Sequence, residues 1–264
     1  MMDYKNLSDK VCNIALEAGN YIQEKAKSLK NKDVEVKGLN NFVTYIDKKS
    51  EELIVDRLLK LLPEAGFIVE ENSIDKKSED LVWVVDPLDG TTNFIHGVPC
   101  YSISIALMRK GEGVIGTVYE PSRNEMFHTY FECNTYLNKE IVRVSEVKTL
   151  KDSLLGTGFP YYDYEKLDTY LELFKYFMKN THGVRRPGSA AVDLAYVASG
   201  RYDGFYEYSL KRWDVAAGQL LVKNAGGCVS DFSGNNNYLF GEEIIASNKY
   251  IFEEFKDVIK RYFK

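Results

Sequence analysis

Two aspartates three residues apart, at the end of an apolar run, are the residues of this 264-residue chain best suited to chemistry. The run Trp83-Val84-Val85 leads into Asp86-Pro87-Leu88-Asp89-Gly90-Thr91-Thr92. A buried strand would deliver Asp86 at its end, Pro87 would set the next φ angle, and a turn would bring Asp89 back beside Asp86. Two carboxylates held that close repel each other unless a cation lies between them. Oxygen ligands of this kind suit a hard divalent ion, with Mg²⁺ the first choice. Gly90-Thr91-Thr92 then offers N–H groups that can converge on an anion. The competing reading is a tight turn in which each Asp only caps or turns the chain. Strand, two acids, glycine and two hydroxyls in one run favour a metal–phosphate site.

Other acids and hydroxyls carry two readings each. Glu70-Glu71 follows the short strand Phe67-Ile68-Val69, and Glu70 joins the cluster if that strand neighbours the one ending at Asp86; otherwise the pair is a solvated strand end. Asp214, in Trp213-Asp214-Val215, stands where a helix begins, so an N-cap role is adequate; to act on a metal it must reach across a cleft. Thr44 and Asp47 lie just before the second helix, where capping is the default. Gly188-Ser189-Ala190-Ala191 opens another helix, with Ser189 as its cap and free backbone donors pointing outward. Glu207, between Tyr206 and Tyr208, reads equally as an exposed strand residue. Periodicity leaves these choices open.

The elements that must position these groups follow from pattern. Leu7, Val11, Ile14, Ala15, Ala18 and Ile22 share one helical face, and Ser50 to Leu62 predicts a second helix stopped by Pro63. The middle of the chain is strand-rich: 67–69, 81–85, 101–108, 113–119 and 126–131. Beyond residue 150, helices at 164–179, 189–199, 214–224 and from Tyr250 alternate with strands at 154–156, 205–206, 228–230 and 244–246. The pattern predicts an α/β (α+β) protein of two subdomains meeting at a cleft, residues 1–145 and 146–264.

Composition narrows the function classes. With 34 Lys+Arg against 39 Asp+Glu the net charge is −5, and the basic doublets are isolated, which argues against a general nucleic-acid binder. The N-terminus lacks the apolar core of a signal peptide, and the stretch from Gly90 to Met108, free of Asp, Glu, Lys and Arg, is broken by Asn93, His96, Gly97 and Pro99, so no membrane span is expected. Four scattered cysteines without a C-x-x-C pair predict reduced, mostly core thiols in a cytoplasmic protein, with neither a zinc site nor a disulfide framework.

Two long segments carry a resemblance to a known family. Trp83-Val-Val-Asp86-Pro-Leu-Asp89-Gly-Thr-Thr-Asn93-Phe-Ile-His-Gly97 is similar to the first signature of the inositol monophosphatase family, and Trp213-Asp214-Val-Ala-Ala-Gly-Gln-Leu-Leu-Val-Lys-Asn-Ala-Gly226-Gly227 to the second. Thr44…Asp47, Glu70-Glu71 and Gly188-Ser189-Ala190-Ala191 follow in the family's order, so the likeness spans essentially the whole chain. It implies the layered αβαβα sugar-phosphatase fold and a Mg²⁺-dependent phosphomonoesterase, usually a cytoplasmic homodimer and often lithium-sensitive. Carried over by position, Glu70, Asp86 and the Leu88 carbonyl would hold a first metal, and Asp86, Asp89 and Asp214 a second. A third, weaker ion would bind near Glu70 through water. Thr91, oriented by Asp47, would help activate the attacking water, with Glu70 also in the catalytic group. Leu88, Asp89, Gly90 and Thr91 would line the phosphate, held by the backbone of Gly90 and Thr91. Asp89, Gly188, Ser189, Ala190, Glu207 and Asp214 would contact the hydroxyl-bearing part of the substrate.

Two positions depart from the family pattern. Val69 stands where glycine is common, and Asn41, in a loop between Lys37 and Thr44, where an acid is common. The second departure bears on the third metal and on closure of that loop. The family reaches phosphatases of inositol monophosphates, fructose 1,6-bisphosphate, NADP(H), histidinol phosphate and 3′-phosphoadenosine nucleotides. Thr91-Thr92-Asn93-Phe94 has the form of the inositol branch, and Glu207 suits a polyol because a carboxylate accepts from neighbouring hydroxyls. Arg185, Arg186, Lys211 and Arg212 keep a bisphosphate or nucleotide in play. Some bacterial relatives also bind the transcription machinery, so a regulatory role is the alternative from a different class. Among partners, the sequence predicts a small phosphate monoester and a second copy of the chain, with neither membrane nor nucleic acid.

Overall fold

Strands that are apolar on both faces must be covered by helices twice, and that demand sets the layering here. The computed structural model describes residues 2–27, 34–38, 41–160 and 164–263. The outer layer holds α1 (Tyr4–Ala26), which leads through the hairpin β1 (Val34–Gly38) and β2 (Asn41–Thr44) to α2 (Tyr45–Leu61). Beneath α1 and α2 lies a seven-stranded sheet: β3 (Gly66–Val69), β4 (Leu81–Asp89), β5 (Ser102–Arg109), β6 (Glu112–Glu120), β7 (Glu125–Tyr130), β8 (Thr135–Leu137) and β9 (Glu140–Val142), adjacent in that order. The short helix α3 (Thr91–Ile95) joins β4 to β5.

The second half supplies a five-stranded sheet from β10 (Leu154–Thr157), β11 (Gly183–Arg185), β12 (Gly204–Tyr208), β13 (Cys228–Ser230) and β14 (Glu243–Ser247), in spatial order β11-β10-β12-β14-β13. Helices α4 (Leu167–Asn180) and α7 (Phe252–Tyr262) cover its outer face. Between the two sheets lie α5 (Ala190–Ala198) and α6 (Arg212–Asn224). The result is the αβαβα sandwich that the resemblance implies.

Period-two alternation explains why one strand serves two cores. Trp83 and Val85 of β4, with Ile103, Ile105 and Leu107 of β5, point to the α1/α2 side. Val84, Ala106 and Met108 point to the α5/α6 side. In the second sheet Phe205, Ile244 and Ala246 face α5 and α6, while Tyr206, Tyr208 and Ile245 face the aromatic core under α4 and α7. The first sheet ends at Val142 and the second begins at Leu154, and the middle helices pack on both. Their close approach rests on Gly218, where a Cβ would stand 2.6 Å from the Leu194 side chain.

The six apolar residues assigned to the buried face of the first helix are all buried. Several expectations need correction. The second helix begins at Tyr45 instead of Ser50, because Thr44 and Asp47 form a capping box that satisfies the first-turn N–H groups. Of the segment between Lys37 and Thr44, expected as a loop, Lys37 and Gly38 end β1 and Asn41–Thr44 forms β2, paired antiparallel to it; the Asn41 side chain lies outside the described residues. The cysteines, expected mostly in the core, are all partly exposed, and all four are free. No described helix is long and apolar enough to cross a membrane.

Candidate active site

The geometry of the acidic run comes from a bulge, where the sequence predicts a turn. Strand β4 continues through Asp89 and pairs Asp86 with Ser104 and Asp89 with Ser102, so three residue steps on β4 oppose two on β5. In a regular strand, residues three apart face opposite sides; the extra residue resets the alternation and brings both carboxylates to one side. Pro87 has no N–H to leave unpaired there, and the Leu88 N–H donates to Asp86 Oδ1 at 2.9 Å.

The neighbouring elements aim at the same point. Strand β3 runs parallel to β4 with Val69 opposite Val85, so Glu70 leaves the ladder beside Asp86. The charge and hydrogen bonding of Glu70 both act on Asp86. The Ser104 hydroxyl, across the ladder from Asp86, donates to the Trp213 carbonyl at 3.1 Å and so pins the start of α6 next to it. Asp214 is then the third residue of α6, so it does not occupy the N-cap position of the competing reading, and its Oδ2 accepts the Lys211 N–H at 2.6 Å. Ser102, across from Asp89, has its hydroxyl 3.1 Å from Ser189 Oγ at the N-cap of α5. Asp89 Oδ2 accepts from Ser189 Oγ at 2.6 Å and from the Ala191 N–H at 2.8 Å.

Carboxylate oxygens of Asp86, Asp89 and Asp214 consequently lie within 4.8 Å of one another. Burial first, then the charges of Glu70, Asp89 and Asp214, hold the Asp86 carboxyl well above the usual range. Burial raises Asp89 to about 6 against the opposing bonds from Ser189 and Ala191, and burial with the Asp89 charge raises Asp214 to about 7. Crowded acids with oxygen-only ligands fit a hard divalent cation: Glu70, Asp86, Asp89, Asp214 and the Leu88 carbonyl would hold it.

These shifts predict how stability depends on pH. The folded pKa values of Asp89 and Asp214 lie above the unfolded value near 3.9, so the protonated forms favour the fold. In EDTA that contribution is complete below about pH 4 and is lost as pH rises through about 6 to 7. Thermal unfolding in EDTA should therefore show a falling Tm between about pH 5 and 8, and Mg²⁺ should raise Tm by an increment that grows over the same interval. An increment independent of pH would contradict the assignment.

A second constellation stands beside the acids. Asp47 is buried at the first turn of α2, where its Oδ2 accepts from the Thr44 N–H at 2.8 Å and from Thr44 Oγ1 at 2.6 Å. Its other oxygen, Oδ1, faces Thr91 Oγ1 at 3.1 Å. The same Thr91 hydroxyl is 3.0 Å from the Leu88 carbonyl. Burial raises Asp47 to about 6, with the Glu71 charge adding to the rise. Gly90, at φ 92°, turns the chain into α3, and a Cβ there would approach the carbonyl oxygens of Cys100 and Gly188 at 3.1 Å.

One pocket collects almost every residue singled out above: Glu70, Asp86, Leu88, Asp89, Gly90 and Thr91 from the first half, with Gly188, Ser189, Ala190, Glu207 and Asp214 from the second. Asp47 is the exception, placed behind Thr91 and reached through it. Glu207, read equally as exposed, is only 6% exposed, and burial with the Asp214 and Asp89 charges holds its carboxyl well above the usual range.

The model of the inositol monophosphatase family matches residues 3–261. The chain belongs to the inositol monophosphatase family. It is 40% identical over 256 residues to the Nus factor SuhB of Escherichia coli K12, covering 94% of this chain and 96% of that protein. The crystal structure of the extragenic suppressor protein suhB from Bartonella henselae matches with a TM-score of 0.92 at 38% identity, covering 97% of this chain and 99% of that one. The inositol monophosphatase of Anabaena matches with a TM-score of 0.88 at 32% identity, covering 98% and 97% respectively.

The inositol monophosphatase signatures did not point to several groups that shape the pocket. Gly158 lies against Glu207 so closely that any Cβ would overlap its carboxylate, so glycine there is what admits Glu207. Asp193, one turn into α5 and 1% exposed, also lines the pocket; its two oxygens reach no hydrogen-bond partner among the described residues, and burial holds it well above the usual range. A single acid inside the apolar run Ala190–Ala198 was the available signal. Asn93 donates from Nδ2 to the Cys100 and Pro187 carbonyls at 2.7 Å each, fastening the segment before Gly188 to α3.

Proposed function

We propose that this chain is a Mg²⁺-dependent phosphomonoesterase that hydrolyses inositol monophosphate to inositol and phosphate. The observation that carries the reading is the convergence of Asp86, Asp89 and Asp214 with Thr91 and the start of α3 in one pocket, with Asp47 bonded to Thr91 from behind. Bound divalent cations, two or three per site, would supply charge neutralisation for the transferring phosphoryl group and a lowered pKa for water. Everything else falls to the chain.

The Thr91 hydroxyl has one proton and two acceptors within reach, the Asp47 carboxylate and the Leu88 carbonyl. The Leu88 oxygen would be a cation ligand, which would leave the hydroxyl proton to Asp47, whose pKa of about 6 keeps it largely ionised at neutral pH. The free lone pairs of Thr91 then face the pocket and can accept from the attacking water. Threonine is too weak a base alone, so the pair acts as a positioned relay. The N–H groups at the start of α3 have no carbonyl partners within the helix and suit the phosphate oxygens.

Charge in the remainder of the pocket bears on the substrate. Of four basic residues that kept a bisphosphate or nucleotide in play, Arg186 lines the pocket. Arg185 donates to the Val184 carbonyl, Lys211 pairs with Glu242, and Arg212 packs over Phe240. Glu207 and Asp193 stand beside Arg186, a lining suited to hydroxyls more than to a second phosphate.

The test is phosphate release, with and without Mg²⁺, from inositol 1-phosphate, fructose 1,6-bisphosphate, NADP⁺, histidinol phosphate and 3′-phosphoadenosine 5′-phosphate. Mg²⁺-dependent preference for inositol 1-phosphate is expected; preference for another compound keeps the mechanism and replaces the substrate. Glu207→Gln should raise KM for inositol 1-phosphate about tenfold, the worth of one hydrogen bond to a charged group, and leave a small artificial phosphomonoester nearly unchanged. A second reading, a regulatory protein of the same fold, is favoured by the name Nus factor SuhB carried by similar proteins. Absence of release from every compound would favour it.

A further inference from the structure

Helix α2 carries a second buried acid one turn beyond Asp47, and it does no work in the chemistry described above. Glu51 is fully buried. Its Oε2 accepts the Glu71 N–H at 2.7 Å, and its Oε1 accepts the Ser73 N–H at 2.8 Å. Both donors belong to the segment that follows Glu70. Between them Asn72 adopts a left-handed conformation, φ 56°, so the clamp encloses a backbone kink that asparagine tolerates.

Strand pairing makes the reason for such a clamp apparent. The β3–β4 ladder ends at Val69 opposite Val85, so Glu70 is the first residue the sheet no longer holds. Beyond Val69 the course of the backbone that carries Glu70 is set by contacts other than the β3–β4 ladder. Glu51 supplies an anchor from a helix, with two charge-assisted bonds to the segment on either side of its kink. Asp47 and Glu51 are four residues apart and share a helix face, so one rigid element orients both Thr91 and the Glu70 segment. Ser50, on the same turn, reaches the Pro87 carbonyl at 3.4 Å, on the chain between Asp86 and Leu88.

We propose that Glu51 is a positioning residue that holds Glu70 beside Asp86 in the geometry needed to bind a divalent cation. This rests on the reading of Glu70, Asp86, Asp89 and Asp214 as the cation's ligands. Partners of metal ligands, when removed, typically cost about 10- to 100-fold in metal affinity.

Two variants separate position from charge. In Glu51→Gln one carboxylate oxygen becomes an NH₂, so one of the two backbone N–H groups loses its acceptor and a negative charge disappears. Glu51→Asp keeps the charge but falls one methylene short of the segment. Titration calorimetry with MgCl₂ on substrate-free protein is the direct measurement. Both variants should bind Mg²⁺ about tenfold or more weakly than wild type, and the Mg²⁺ needed for half-maximal phosphate release should shift by the same factor. At saturating Mg²⁺, kcat and KM should return to near wild-type values, a rescue that a general loss of stability would not give.

Wild-type affinity in both variants overturns the proposal. So does weak binding in Glu51→Gln with wild-type binding in Glu51→Asp, because charge alone would then be responsible. Circular dichroism in EDTA checks the fold: if one variant fails to fold the other carries the test, and failure of both makes Glu51 a stability residue and rejects the positioning role. Absence of Mg²⁺ binding by the wild type is a separate result, which removes the metal reading itself.

Discussion

Asp89→Asn is expected to lower kcat for phosphate release by about a hundredfold to a thousandfold, with the fold intact. That size follows from the several kcal/mol of charge stabilisation that a correctly held cation contributes, at about 1.4 kcal/mol per tenfold in rate. The geometry shows why asparagine cannot substitute. Asp89 Oδ2 is already committed to the Ser189 hydroxyl and the Ala191 N–H, which leaves Oδ1 for the cluster. An amide must turn its oxygen to one side and its NH₂ to the other. If the oxygen keeps the two α5 donors, the NH₂ faces Asp86, Asp214 and the cation; if it turns to the cation, the NH₂ meets two donors. Either way one set of partners is lost. In EDTA the same variant should be at least as thermostable as wild type at about pH 8, because one of the crowded negative charges is gone. Full activity would remove Asp89 from the metal assignment, and loss of fold would make its bonds to α5 the main role.

Thr91→Ala is expected to lower kcat by about 10²- to 10⁴-fold, the usual range for positioned proton transfer, with little change in Mg²⁺ affinity. The Asp47 carboxylate would remain, held by both Thr44 groups, but without the hydroxyl that relays its pull to the water. Thr91→Ser keeps the hydroxyl and should retain much of the activity. Because Asp47 and Thr91 act as one unit, the double variant Asp47→Asn/Thr91→Ala should be no slower than the worse single variant. Multiplicative losses would show that the two residues act separately.

Both predictions concern residues that stand out in the sequence itself, and the reason is local. Asp86, Asp89 and Thr91 lie close together in the chain, and the backbone between them is constrained by Pro87 and by Gly90. Thr44 and Asp47 likewise form a capping box, a device confined to the first turn of a helix. Even so, the local reading erred in detail. A turn and a bulge both bring Asp89 to Asp86, and only the pairing with Ser104 and Ser102 distinguishes them. An N-cap role remained open for Asp214 because an acid near a helix start serves equally well at either position. The helix starts earlier, at Arg212, and leaves Asp214 on its third position.

Read alone, the chain specified the chemical types, the order of the acids and hydroxyls, the principal helices and strands, and the resemblance to the inositol monophosphatase family. These depend on short-range constraints: side-chain periodicity, the φ limits of proline and glycine, and capping hydrogen bonds. Which distant groups share the pocket was left to the packing of the layers. Asp214 meets Asp86 because Ser104 ties α6 to β5, and Glu207 enters because Gly158 has no side chain. Asp193 and Glu51, an acid inside an apolar helix and an acid on a charged one, gained meaning only from what lay opposite them. The physical reason is that an apolar pattern states which face of an element is buried but not against which partner. The layer of α5 and α6 between two sheets resolves that degeneracy, and with it the site.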